Sequence, residues 1–295
     1  MATKEMQMPR KVFGESLVDY GAVNQKVVVL TADVSSSVMT TFFANKYPER
    51  FFNVGIAEAG MVDTAVGFAL AGMIPFANTF AAMLLRATEA IRTCVAYADT
   101  NVKLVGSFAG LSNFKDGPTH HSITDVAIMR ALPNLTVLVP SDSTEAKKMI
   151  PAMAEHVGPV YIRLSRAEMP VIFDESHRVE IGKGVVVRDG GDVTIVVNGH
   201  MLSRSLEAAD ALSSQGVQAR VVNMHTVKPL DVPLVLKCAQ ETGALVTVEE
   251  HSIIGGLGSA VAETLSGEFP VPVKRVGIAD TFTETSRDFD SLLDK

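Results

Sequence analysis

The sequence predicts an α/β protein of two doubly wound domains, each a parallel sheet flanked by helices, and two observations carry that expectation. Short β-branched runs alternate with longer amphipathic or small-residue segments, the pattern of successive strand–helix units. Between residues 166 and 182 the periodicity disappears, the segment carries Pro170 and several charges, and a fresh alternation begins beyond it. The expected division is therefore a first domain over residues 1–166, a linker over 167–182 and a smaller second domain over 183–295. A chain of 295 residues is long enough for each domain to bury its own core.

Taken in order, Lys26 to Leu30 reads as a buried strand and Thr31 to Ser37 as the loop at its carboxyl end. Ala57 to Gly72 reads as a helix whose Ala and Gly positions allow close packing. Ile74 to Asn78 is strand, and Phe80 to Tyr97 is helix, with Arg86, Glu89 and Arg92 at three-residue spacing. Val102 to Val105 and Leu135 to Val139 are further strands, and Ser141 or Ser143 is placed to cap the helix holding Glu145 to Met153. Val160 to Ser165 closes the first unit. The second has strands at Val193 to Val197, Ala219 to Val222, Ala244 to Val248 and Val273 to Val276, with a helix from Ser203 to Ser214. Ligand groups gather at the carboxyl ends of strands in open parallel sheets. Asp33, Asn78 to Phe80, and Ser107 with Phe108 all fall at such ends.

A net charge of −7 argues against a nucleic-acid or anionic-membrane surface, where clustered Lys and Arg are expected. The most apolar region, Met61 to Leu85, is broken by Asp63, Pro75 and Asn78, so no membrane span is expected. The N-terminus lacks the apolar core of a signal peptide. The two cysteines, Cys94 and Cys238, lie in helical segments without metal-ligand spacing, as reduced thiols of a cytoplasmic protein would. A mean hydropathy of +0.24 is high for a soluble monomer and implies surface covered by other subunits.

Three segments carry the chemistry. Asn53 to Met61 (NVGIAEAGM) sets one carboxylate, Glu58, among small and apolar neighbours, where its ionised form is disfavoured although a helix N-terminus partly favours the anion. Phe80 offers an aromatic wall for a flat ring. Met83 and Arg86 follow on a related helix face, Met filling a gap and Arg covering a ring face or reaching an anion. In Asp116 to Ser122 (DGPTHHS), Gly117 and Pro118 form a rigid turn that fixes His120 after Asp116, where a histidine can relay a proton. Adjacent histidines seldom converge on one ion and no third ligand lies nearby, so a metal site is not expected here.

Together and in order, these segments resemble the C-terminal portion of transketolases, over nearly the whole chain from Arg10 onward. Further anchors are Ala32-Asp33, Leu132 to Leu135 (LPNL), Pro140 to Asp142 (PSD), Leu164 to Arg166 (LSR), Val227 to Asp231 (VKPLD) and Glu249 to Gly258 (EEHSIIGGLG). The resemblance implies a pyrimidine-binding domain followed by a transketolase C-terminal-like domain, with thiamine diphosphate as cofactor. In such enzymes the cofactor's own amino group is the base, provided an acid engages the far ring nitrogen. That role falls to Glu58. Phe80, Met83, Arg86 and Asp33 would line the cofactor and His120 would face the reacting centre. Arg10, Ser37 and Arg166 would hold a sugar phosphate, and Asp116 a substrate hydroxyl. Three positions depart from the family: Phe108 replaces a donor-binding His, Ala59-Gly60 replaces bulkier polar residues, and Met83 replaces an aromatic or Arg.

The diphosphate-anchoring half of such an enzyme is missing. Gly190 to Val193 (GGDV), with Asn223 downstream, imitates the family's metal-binding Gly-Asp-Gly segment but lacks its second glycine. Gly255 to Gly258 (GGLG) passes for a phosphate loop, and close packing explains it. The resemblance thus implies a separate N-terminal subunit holding a divalent metal such as Mg2+ and the diphosphate, in a two-plus-two assembly. The β-subunit of a 2-oxo-acid dehydrogenase decarboxylase shares the Glu role but lacks the Asp116 to His120 turn and the Arg10/Arg166 pair. A 1-deoxyxylulose-5-phosphate synthase-like enzyme is normally one chain. A non-catalytic scaffold subunit has no use for Glu58 and His120.

Overall fold

The computed structural model describes residues 5–294. Its strands are β1 (Met6–Gln7), β2 (Val27–Thr31), β3 (Phe51–Asn53), β4 (Ile74–Phe80), β5 (Lys103–Ser107), β6 (Thr136–Leu138) and β7 (Val160–Leu164). They continue with β8 (Met169–Pro170), β9 (Val185–Arg188), β10 (Val193–Val197), β11 (Ala219–Asn223), β12 (Thr226–Lys228), β13 (Leu245–Ser252) and β14 (Val273–Ile278). A seven-stranded sheet runs in the order β12-β6-β7-β5-β4-β2-β3 and a five-stranded sheet in the order β14-β13-β10-β11-β9. Each is parallel except for one antiparallel edge strand, β12 in the first and β9 in the second. The expected class, α/β with two doubly wound units, is the class observed.

The first sheet is buried on both faces, which is why its strands are near-continuous apolar runs. Side chains alternate between two cores: Val28 and Leu30 of β2 face one with Met61, Ala65 and Leu84, while Val27 and Val29 face the other with Phe13, Phe43 and Met149. The second sheet packs Val196 and Val222 against Val235, Leu257 and Val261 on one side, and Ile195 and Val221 against Leu202 and Ala209 on the other.

Several local expectations are corrected. Neither Ser141 nor Ser143 caps the helix Ser143–Glu155; Asp142 does, its Oδ1 accepting from the Glu145 amide at 2.8 Å. A carboxylate wins there because its second oxygen takes two more amides, Ile172 and Phe173, both at 2.8 Å. Those bonds, and the antiparallel pairing of β8 with β1, hold the segment read as a linker against the first unit. The helix expected from Phe80 to Tyr97 is broken into Ala81–Leu84, a 3-10 turn at Leu85–Ala87, a short α turn at Thr88–Ala90 and a π turn at Ile91–Tyr97. The helix Pro9–Val23 lies outside the expected elements and has Pro9 in its first turn, where a missing backbone donor costs nothing.

The two units are joined by more than apolar contact. β12 leaves the second unit and pairs with β6, so the first sheet is completed by residues from beyond the linker. At the seam, the buried Arg163 of β7 places Nε 2.9 Å from Asp125 Oδ2, and its Nη1 donates to the Glu250 carbonyl of β13 at 3.2 Å. Tyr161 donates to the same Asp125 carboxylate at 2.6 Å. Removing one member of such a cluster strands the other charge in the interior, at a cost of about 3–5 kcal/mol. Asp125→Ala is therefore expected to lower unfolding stability by roughly that amount, read as a drop in the urea midpoint at unchanged slope.

Candidate active site

Every candidate residue in the first unit lies past the carboxyl end of a parallel strand or on the element covering that edge. Asp33 follows β2, Glu58 follows β3, Phe80 ends β4, Phe108 follows β5 and Arg166 follows β7. The chain leaves β2 toward β3 and the neighbouring β4 toward β5, in opposite directions, and this reversal between β2 and β4 is where such folds open a ligand crevice.

Glu58 is the first residue of the helix Glu58–Leu70 and is 5% exposed. Met61, Val62 and Ala65 of the same helix are buried, whereas Ile56, Ala57, Ala59 and Gly60 are exposed. The carboxylate is thus sunk against its own chain beneath a helix face that is open to solvent. Arg86, following the helical turn after Phe80, reaches it with Nη1 at 3.4 Å from Oε2. Met83 is half-buried on the intervening turn.

Phe80, Phe108 and His120 form an aromatic group. The two Phe rings lie 4.3 Å apart between centroids, and the His120 ring stands edge-on to Phe80 at 6.5 Å. His120 is half-buried, with Nδ1 3.0 Å from the Thr119 hydroxyl. Phe108 also contacts two cations, with the guanidinium carbons of Arg10 and Arg166 at 4.7 and 5.2 Å from its centroid. Its backbone has φ +60°, a left-handed conformation uncommon for a bulky residue and one associated with functional sites. Neither arginine has a carboxylate partner among the described residues. Burial, and then the neighbouring Arg166 charge, lower the Arg10 pKa. Two unpaired guanidinium groups around one ring make a receptor for an anion. Arg10 also donates to the Ser37 carbonyl, so Ser37 lies against this pair.

Asp33 is exposed with φ +60°, its amide donating to Asn53 Oδ1 at 2.9 Å while Asn53 Nδ2 donates back to its carboxylate at 3.2 Å. Asp116 is exposed on the loop leading to His120. Sequence reasoning missed Asn53, whose Oδ1 also accepts from the Gly55 amide at 3.1 Å and so shapes the turn before Glu58. It missed Asn113 too, which receives Arg166 Nη1 on its Oδ1 at 2.7 Å. Nothing in the residue pattern singles out either asparagine.

The two phosphate-site imitations in the second unit are otherwise engaged. At Gly190 a Cβ would come within 2.5 Å of the Ala219 backbone, so the glycine serves close packing. At the Gly255 to Gly258 turn, the amides of Leu257 and Gly258 donate at 2.7 and 2.8 Å to the carboxylate of Glu249, which occupies the place an anion would take. Among the described residues, no group of three or more His, Cys, Asp or Glu side chains is placed to hold a metal ion, and no helix is long and apolar enough to cross a membrane.

With the geometry in place, comparison with known proteins gives the class. Residues 5–171 match the pyrimidine-binding domain of transketolase and residues 182–293 match the transketolase C-terminal domain. The chain belongs to the transketolase family and comprises its pyrimidine-binding and C-terminal domains. It is 42% identical to a putative transketolase C-terminal section of Methanocaldococcus jannaschii, over 96% of this chain and 90% of that protein. It is 43% identical to a 6-deoxy-6-sulfo-D-fructose transketolase subunit of Clostridium sp. (strain MSTE9), over 93% of this chain and 86% of the subunit. A solved structure of a split-gene transketolase, an inactive β4 tetramer, superposes with a TM-score of 0.91 at 46% identity, covering 97% of this chain and 92% of that one.

The site also leans on the second unit through Glu250, which accepts the Leu111 amide and fills the space beside Gly110. Burial raises the Glu250 carboxyl to about 7, against the attraction of Arg163. A carboxyl raised on folding holds its proton while the unfolded chain has lost it, so its contribution to stability falls as pH rises from the unfolded to the folded value. Glu250→Gln removes that dependence. The urea midpoint of the variant minus that of the parent is expected to rise between about pH 5 and about pH 8.

Proposed function

We propose that this chain is the C-terminal subunit of a split, thiamine diphosphate-dependent transketolase that moves a two-carbon ketol unit from a ketose phosphate to an aldose phosphate. The observation that carries the reading is Glu58: a buried carboxyl past the carboxyl end of β3, paired with Arg86, on a helix whose outer face is left open for another chain. The bound cofactor would supply the electron sink for breaking the ketose carbon–carbon bond. The residues present fit its pyrimidine end. Glu58 would hold a proton at the far ring nitrogen, with Arg86 offsetting its charge, and Phe80 would offer a ring face. Met83 and Asp33 would border the same ring.

His120 would exchange a proton with the ketose hydroxyl, and Asp116 would accept from a neighbouring hydroxyl. Arg10 and Arg166, with Ser37 beside them, would take the terminal phosphate between them. Phe108 would then act mainly as the platform that keeps two like charges together, in place of a hydrogen bond to the donor sugar.

The diphosphate and a divalent metal would be held by an N-terminal partner subunit, since this chain's glycine turns are filled by its own groups. The helix Glu58–Leu70 supports that assignment. Its exposed face is lined by Ala59, Gly60, Asp63, Thr64 and Gly67, next to Ile56 and Leu70, which are 74% and 76% exposed. A Cβ added at Gly67 would meet nothing within 4 Å, so the chain itself does not require that glycine. Small residues there let a second backbone approach closely, and two copies of each chain would close a symmetric assembly.

Two outcomes test this. In the two-chain enzyme, Glu58→Gln is expected to lower kcat by about 10²-fold or more, the scale of a lost general acid, measured with a ketose phosphate donor. Retained activity would refute the role. Gly67→Leu is expected to leave the isolated chain at least as stable, by roughly the helix-propensity difference of up to 1 kcal/mol, yet to abolish co-sedimentation with the partner subunit.

A further inference from the structure

The C-terminal segment after β14 crosses back over the first unit and grips the loop that carries Asp116 and His120. The Ser286 amide donates to the Phe114 carbonyl at 3.0 Å, and Gly117 lies so close to Thr285 that a Cβ there would approach its methyl to 2.8 Å. The central contact is polar. His121 is 6% exposed, with Nε2 3.1 Å from the Asn113 carbonyl and Nδ1 2.5 Å from the Thr283 hydroxyl. A carbonyl can only accept, so Nε2 carries the proton. Burial lowers the His121 pKa and so favours the neutral ring. Nδ1 is then an acceptor and the Thr283 hydroxyl must donate.

Asn113 links this contact to the substrate side. Its carbonyl accepts from His121 and from the Asp116 amide, at 3.0 Å in the second case, while its side-chain oxygen accepts from Arg166 Nη1 at 2.7 Å. The Arg166 amide is fixed by the Ser112 hydroxyl at 3.0 Å. One continuous chain of hydrogen bonds therefore runs from the last segment of the protein to a guanidinium at the anion receptor.

We propose that Thr283 and His121 are positioning residues that set Arg166, through Asn113, at the geometry needed to bind the terminal phosphate of the sugar. The inference rests on the transketolase reading above and adds a task for the C-terminal domain: it orients a phosphate ligand of the other domain.

The test is Thr283→Val in the two-chain enzyme, which keeps the shape of the side chain and removes its hydroxyl. With a phosphorylated ketose, kcat/KM is expected to fall roughly three- to tenfold, the worth of one hydrogen bond, and to do so through KM. With the unphosphorylated form of the same ketose the fall is smaller, and Thr283→Ser restores the parent value. In an Arg166→Gln background the Thr283→Val penalty disappears, because the group it acts through is gone. An equal loss on both donors, no loss on either, or a penalty that persists without Arg166 overturns the proposal. Glu58→Gln separates the two levels. If that variant is inactive while Thr283→Val behaves as the parent, only the positioning role falls; if it stays active, the functional reading falls as well.

Discussion

The arrangement of the site depends on one buried cation, Arg163. It stands on a central strand of the first sheet, where burial works against its charge, yet Asp125 and the nearby carboxyl groups of Glu250 and Glu249 more than offset that and raise its pKa. Its guanidinium donates to the Ser122 carbonyl at 2.9 Å, to Asp125 at 3.1 Å and to the Glu250 carbonyl of the other unit. Ser122 ends the loop that begins at Asp116, and its carbonyl also accepts from the Gly110 amide, two residues past Phe108. One side chain thus fixes the base of both loops at the site and the seam between domains. Buried ion pairs add little net stability, but breaking one leaves an uncompensated charge in the interior.

The Arg10 and Arg166 pair rests on a second constraint. Two guanidinium groups repel, and among the described residues neither has a carboxylate partner to compensate. Phe108 does so in part, because a ring face attracts a cation without competing for an incoming anion. A histidine there would be a weaker platform whenever it is protonated. Phe108 adopts its left-handed backbone where its ring meets both guanidinium groups and the Phe80 ring, 4.3 Å away. The departure from the family at Phe108 is, in three dimensions, an aromatic ring in contact with the guanidinium groups of both Arg10 and Arg166.

How much of this was legible follows from the range of each interaction. Strands buried on both faces announce themselves as β-branched runs, so β2, β4, β5, β7, β10 and β13 were expected within a few residues of where they lie. β9 and β12 were not: one is a half-exposed edge strand, and the other is a short piece whose pairing partner belongs to the other unit. The cap at Asp142 was misassigned to its serine neighbours because what selects a carboxylate is the return of Ile172 and Phe173, a contact invisible along the chain. At the site, Glu58, Phe80 and Arg166 stand out through their flanking motifs. Their proximity, and the roles of Asn53 and Asn113, come from tertiary folding alone.

The second unit is a mostly parallel sheet with a glycine-bearing turn at the start of the helix Leu257–Glu268, yet its own chemistry closes the option of an anion site at that turn. Glu249 lies with its carboxylate on the amides at the start of the helix Leu257–Glu268, and burial raises its pKa to about 7 against those two donors. An external phosphate would have to displace an internal, covalently tethered carboxylate and would then face it at close range, where like charges in a poorly solvated pocket repel strongly. That turn is therefore closed to an external anion, while the domain makes extensive contact with its neighbour. Its contacts bear that out: β12 completes the other sheet, Glu250 takes the Leu111 amide, and Leu111 packs with Phe289 and Leu292 in an apolar cluster beneath the site loop.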